Sequence, residues 1–140
     1  MPHHEITPEL AERLKAQVER GFNERDPRAI EQVLSPQLID HNVLLGGVDL
    51  RQRMARAQDA FEDATYSIDE YIVQGSAVAW RWTIRGTHTK RVMGVEPTLR
   101  EVSISGLSAA VIHDGKIVEH WEFSDDQAVL DQLQTAAQRT

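Results

Sequence analysis

Apolar residues recur every four positions at Leu10, Leu14, Val18 and Phe22, the spacing of a single buried stripe along a helix. Thr7-Pro8-Glu9 supplies the start of that helix: Thr7 can cap it, Pro8 suits the first helical position, and Glu9 favours the positive end of the dipole. Asp26-Pro27 breaks it. A short second helix is predicted over Arg28 to Leu34, ended by Ser35-Pro36, and Gln37 to Asn42 reads as irregular. Gly46-Gly47 is a flexible joint. Leu50, Met54, Ala57 and Phe61 then mark the buried side of a third helix from Asp49 to about Phe61.

From Tyr66 the period changes to two. Tyr66 to Val73 is predicted as a strand, with Gly75-Ser76 as a turn. In Val78 to His88 the even positions include Val78, Trp80, Trp82, Ile84 and His88, and the odd ones include Arg81, Thr83 and Arg85. That alternation is a half-buried strand with a defined inner face. Glu101 to Ile112 and Ile117 to Ser124 complete an antiparallel set, and Asp125 or Asp126 can cap a last helix carrying Val129, Leu130 and Leu133. Three helices, four strands and one short C-terminal helix, segregated along the chain, predict an α+β fold with an antiparallel sheet.

Composition narrows the possibilities. A chain of 140 residues, 41% hydrophobic, fits one domain over residues 1–140 with an ordinary core. The absence of cysteine rules out disulfides, thiolate nucleophiles and Cys-based zinc sites. A net charge of −7 argues against a nucleic-acid partner. No apolar run approaches the ~20 residues of a membrane span. Met1-Pro2-His3-His4-Glu5 lacks the pattern of a signal peptide, so a cytoplasmic location without membrane attachment is expected.

Ionisable residues concentrate in Gly86-Thr87-His88-Thr89, Met93 to Thr98 and Asp114 to Glu122. Successive strand residues alternate sides, so His120 and Glu122 share one face, and Glu119, Trp121 and Phe123 the other. A three-residue loop at His113-Asp114-Gly115 sets Ser108 opposite His120 and Gly106 opposite Glu122. This register is preferred over a two-residue Asp-Gly turn, which sets Ser108 beside Trp121. The face with Leu107, Val111, Ile117, Trp121 and Phe123 is the more apolar. Either it is the core and His120 and Glu122 are solvated, or it is buried against a second subunit and the polar face lines a cavity. The pattern leaves both open.

From Val78 to Leu133 the chain resembles the SnoaL-like polyketide cyclase (ester cyclase) family. Arg81 to His88, Met93 to Thr98 and Asp114 to Trp121 carry the resemblance, with Leu130-Asp131-Gln132-Leu133 as the closing helix and Asp40-His41-Asn42 as the first pocket-lining segment. The resemblance implies the cone-shaped α+β barrel of nuclear transport factor 2, a curved sheet wrapped around the N-terminal helices. It also implies a homodimer through the outer sheet face, which turns His120 and Glu122 inward. In the family's anthracycline cyclases an Asp on the last strand is the acid/base of an aldol ring closure, without metal or Schiff base. Glu122 stands at that position. A Gln and a His of the neighbouring strand are matched by Gly106 and Ser108, and a pocket Asn by Asp40.

The expected function follows: a cofactor-independent enzyme doing cyclisation, isomerisation or dehydration on a small, apolar, polyketide-like or cyclic carbonyl compound. Glu122 is the candidate base, because an apolar, aromatic-lined cavity disfavours a carboxylate's charge and readies it to take a proton. His120 and His88 are candidates to orient substrate or stabilise an enolate. Asp40, His41, Trp80, Trp82 and Ser108 are candidates to line the pocket. His41, His88, His120 and Glu122 include metal-binding types but lack tight ligand spacing, so no metal or other cofactor is expected. Ser108 stands in a plain strand and not in a nucleophile elbow. The rivals are a non-catalytic small-molecule-binding dimer and an epoxide hydrolase. Arg81 and Arg85 face outward in this reading, which counts against the hydrolase.

Overall fold

In the computed structural model, which describes residues 5–44 and 46–138, the first helix starts as its sequence predicts. Thr7 Oγ1 accepts the Leu10 N–H at 3.1 Å, and the helix α1 runs Pro8–Asn23. Met1 to His4, whose composition argued against a signal peptide, lie outside the described residues. A short α2 covers Pro27–Glu31, capped by Asp26. After the one-turn α3, His41–Leu44, comes α4, Leu50–Ala60, with a reciprocal capping box between Asp49 and Gln52.

The second helix is shorter than predicted, and a strand replaces the irregular stretch. Leu34–Asp40 forms β1, which pairs in parallel with the last strand (Leu34 with Ile117, Asp40 with His120). Pro36 hid it, since proline cannot donate to a ladder. It is tolerated because β1 is an edge strand whose register slips between Leu34 and Ile39. The other strands are β2 Thr65–Gln74, β3 Ala77–Thr87, β4 Glu101–His113 and β5 Lys116–Ser124, followed by α5, Asp126–Gln138. Asp125 caps α5, its Oδ1 accepting the Ala128 N–H at 2.9 Å.

The sheet order is β1-β5-β4-β3-β2, antiparallel except at β1. The fold is α+β, as expected, but the curved sheet is unclosed: β1 and β2 remain edges, and the antiparallel set is joined by one parallel strand. Even-numbered residues of β3 and β4 bury Trp80, Trp82, Ile84, Ala110 and Ile112 with Phe22, Phe61 and Leu133 from the helices. Each large side chain so placed contributes roughly 1.5–3 kcal/mol. At the β2 edge Asn23 of α1 imitates a strand, accepting the Tyr66 N–H at 2.7 Å and donating to its carbonyl at 3.0 Å.

The β4–β5 register matches neither sequence alternative. The turn is the two-residue one, with Asp114 and Gly115 both left-handed (φ 51° and 73°) and His113 opposite Lys116. One register shift later Val111 faces Glu119, so β5 carries an extra residue between Ile117 and His120. This bulge lets Ile117 and His120 point inward together despite their opposite parity. It sets Ser108 opposite Glu122 and Ala110 opposite His120.

Candidate active site

β5 delivers His120 and Glu122 to the inner face: His120 is fully buried and the Glu122 side chain is 8% exposed. β1 ends beside them at Asp40. There Asn42 of α3 prolongs the ladder with its side chain, accepting the Glu122 N–H at 3.0 Å and donating to the Glu122 carbonyl at 3.1 Å. The backbone beneath Glu122 is thereby held on the side where β1 has run out.

Asp40 ties three elements together. Its Oδ1 accepts the Asn42 N–H and its Oδ2 the Leu50 N–H, each at 3.0 Å. The second bond comes from the first turn of α4, where a carboxylate is favoured by the helix dipole. Oδ2 also lies 3.3 Å from His120 Nδ1. On the other side of the ring, Nε2 faces Glu122 Oε1, 3.9 Å away. Nε2 is buried and without a hydrogen-bond partner among the described residues.

Glu122 is gripped from two further sides. Ser108 Oγ–H donates to its Oε1 at 3.2 Å, and Ser108 Oγ accepts the Trp82 Nε1–H at 3.0 Å. Arg53 of α4 pairs through Nε with Oε2 and donates from Nη2 to Ser124 Oγ at 2.8 Å. The surroundings of Glu122 are therefore not only the apolar, aromatic ones expected; a guanidinium sits against it. Gly106 follows from the same packing. A Cβ there would collide with Trp82 Cζ2, so the strand must be bare for the indole to lie across it.

Glu122, Arg53, Trp82 and Tyr66 open on a cleft of about 360 Å³ between α4, the inner sheet face, the start of α5 and the 88–100 loop, which contributes Val92 and Met93. Apolar groups dominate its walls. Tyr66 accepts the Trp80 Nε1–H at 2.9 Å, and burial pushes its hydroxyl well above the ordinary phenol value.

The structure brings Glu122, His120, Asp40, Ser108 and Trp82 together, with Asp40, His120 and Ser108 behind Glu122. Trp80 stands beside them, its ring 6.0 Å from that of His120. His41 and His88 are elsewhere. His41 stacks on Trp121 (centroids 4.3 Å, 6° between planes) and pairs with Glu119 at 2.8 Å, so it belongs to the outer face. His88 lies eight residues beyond Trp80, a path of roughly 26 Å along a strand. It is fully buried, and its Nδ1 accepts the Thr98 N–H at 3.2 Å beside Thr98 Oγ1 at 3.0 Å. The hydrogen bonds make it an anchor of the 88–100 loop. The four residues considered for a metal do not converge.

Arg53 was missed. It flanks the apolar stripe between Leu50 and Met54, and a helix arginine bordering a buried face was the available signal.

An unclosed curved sheet covered on its concave side by helices, with a polar cluster at the mouth of an apolar cleft, is the nuclear transport factor 2-like α+β fold. The chain belongs to the SnoaL-like polyketide cyclase family, whose sequence model matches residues 12–133. Among solved structures, AclR from Streptomyces galilaeus, a candidate hydroxylase, is similar at 28% identity and TM-score 0.75, over 89% of this chain and 86% of that one. IdmH from Streptomyces antibioticus, a candidate polyketide cyclase, has 28% identity and TM-score 0.75 over 88% of this chain and 97% of that one. TsrD from Streptomyces laurentii shares the fold, with TM-score 0.78 at 23% identity over 94% and 99% of the two chains. Among curated proteins none matches. Among the described residues no helix is long and apolar enough to cross a membrane.

Proposed function

We propose that this protein is a cyclase-type acid/base enzyme that needs no cofactor and acts on a small polyketide-like or cyclic carbonyl compound. One observation carries the reading: the Glu122 carboxylate lies at the wall of an apolar cleft, with the unpartnered Nε2 of an Asp40-oriented His120 behind it. Glu122 takes a proton from carbon next to the substrate carbonyl, and the C–H electron pair moves to the carbonyl oxygen as an enolate. In a ring closure the enolate carbon then attacks a second carbonyl of the same molecule, and the new alkoxide recovers the proton from Glu122. Isomerisation or dehydration uses the same first step. His120 Nε2 faces Glu122 across a gap that one proton can bridge, with Asp40 stabilising the imidazolium. His88, anchored to Thr98, has no part in this scheme.

Glu122→Gln keeps the Ser108 and Arg53 contacts in shape but cannot accept the proton. Turnover of a cyclisable diketone should fall by at least about 10²-fold, the usual scale of general-base loss. Full activity in that variant sinks the assignment and favours the non-catalytic binding dimer. One observation favours the hydrolase rival: Arg53 places an arginine against Glu122, which the exposed Arg81 and Arg85 could not. Diol formation from an alkyl epoxide, lost in Arg53→Gln, would select that reading.

A homodimer through the outer sheet face belongs to the same proposal. Leu107 and Phe123 are 53% and 67% exposed there, adjoining the His41–Trp121 stack, an apolar surface of the kind that marks interaction sites. Phe123→Asp should convert a dimer to a monomer in sedimentation; a monomeric wild-type chain removes this part of the proposal.

A further inference from the structure

Arg56 stands three residues after Arg53 on α4, on the same face of the helix about one turn away, and forms part of the cleft wall. The other charges of the cleft are already engaged with one another. Arg53 pairs with Glu122 and donates to Ser124 Oγ, and the Ser124 hydroxyl donates to Asp126 Oδ1 at 3.0 Å. One guanidinium and two carboxylates thus form a connected chain. Arg51, on the same helix, pairs with Glu31 and Asp49. The Arg56 side chain has neither an ion pair nor a hydrogen bond among the described residues. It is an uncompensated cation at the rim of a cleft otherwise walled by Val48, Met54, Phe61, Trp82, Ile84 and Ile104. In a chain of net charge −7, this is where an anion can be received.

Resting on the reading of this cleft as the Glu122 site, we infer that the substrate is an apolar carbonyl compound carrying a free carboxylate, which Arg56 binds while the apolar body lies against Trp82. A guanidinium presents paired N–H donors that match a carboxylate's two oxygens. An esterified acid offers no charge to Arg56 and leaves it unpaired. A dianionic phosphate fits less well, because one free cation neutralises one charge, and Asp126 and Glu122 stand close by. The carboxylate is therefore a recognition group, held about one helical turn from the arginine that grips Glu122, and the reacting carbon is elsewhere in the molecule.

The test compares 2-naphthoate with its methyl ester, titrated into the whole protein while the Trp82 indole N–H resonance is followed. Both should shift that resonance, and the acid should bind about fivefold more tightly, the scale of one partly exposed ion pair. Raising salt to about 0.5 M should weaken the acid alone. Arg56→Gln should remove the preference and Arg56→Lys should keep part of it, with thermal melts showing both variants folded. The inference is overturned by an ester that binds as well as the acid, by a preference that survives Arg56→Gln, or by binding that leaves Trp82 undisturbed. Failure of the catalytic reading is separate: it shows as unchanged turnover in Glu122→Gln, a variant in which the acid preference should persist.

Discussion

Removing the Asp40 carboxylate tests the buried network most directly. In Asp40→Ala three donors lose their acceptor: the Asn42 N–H, the Leu50 N–H and His120 Nδ1–H. Asp40 is 7% exposed and His120 fully buried, so water does not readily replace the lost oxygens. A buried donor left unsatisfied costs about 1–3 kcal/mol. Water drawn into the vacated space offsets part of the three penalties, which leaves an expected loss of about 3–6 kcal/mol. Asp40→Asn retains one acceptor oxygen but turns an amide NH₂ toward a donor, for a loss of about 2–3 kcal/mol. Against a typical total of about 5–15 kcal/mol, both losses are large. Equilibrium urea unfolding followed by far-ultraviolet circular dichroism measures them. A loss under about 1 kcal/mol in Asp40→Ala would refute the reasoning and leave Asp40 as a pocket-lining group with no role in holding β1, α4 and β5 together.

Gly106→Ala should cost about 1–3 kcal/mol in the same assay, the range for overpacking, because its methyl overlaps Trp82 and the Phe123 carbonyl; a neutral or stabilising result contradicts the packing described. Tyr66→Phe should lose about 1–2 kcal/mol through the orphaned Trp80 N–H. Burial raises the Tyr66 hydroxyl above its ordinary 10.0, so its contribution is present below that pH and is lost as pH rises. Wild type should therefore lose more stability than Tyr66→Phe between about pH 9.5 and 11, and equal losses refute this. The Thr87 hydroxyl, first, and then its amide hold Asp63 below its ordinary 3.8. That contribution is present above 3.8 and disappears as pH falls through the folded value, so the stability deficit of Thr87→Val should shrink in acid. A deficit independent of pH excludes the Asp63 contact as its source.

The helices that flank the sheet and the period-two strands were legible in the chain, because local signals specify them: Thr7-Pro8 at the start of α1, the stripe Leu50, Met54, Ala57 and Phe61, and the alternation around Trp80 and Trp82. β1 was not legible. Its pairing with β5 joins segments some 80 residues apart, and Pro36 carries a local signal against a strand that only an edge position with a register slip overrides. The same limit applied to the site. Glu122 and His120 could be named from their shared parity and the family resemblance, yet Ser108 reached Glu122 through a bulge between Ile117 and His120 that no residue type announces. Asp40 was named as a pocket-lining group, and its contacts with the Asn42 and Leu50 amides and with His120 could not be read from the chain. His41 and His88 were placed by type, and tertiary packing sent one to the outer face and the other to the 88–100 loop. Arg53 became a partner of Glu122 only because the fold brings α4 within side-chain reach of the end of β5. Residue order and periodicity determined which side chains share a face within an unbroken strand, as for His120 and Glu122, but not across the bulge that turns Ile117 inward. Which of them touch was decided by the bulge, the parallel edge strand and the lie of α4, since contacts between distant segments depend on geometry that no local pattern encodes.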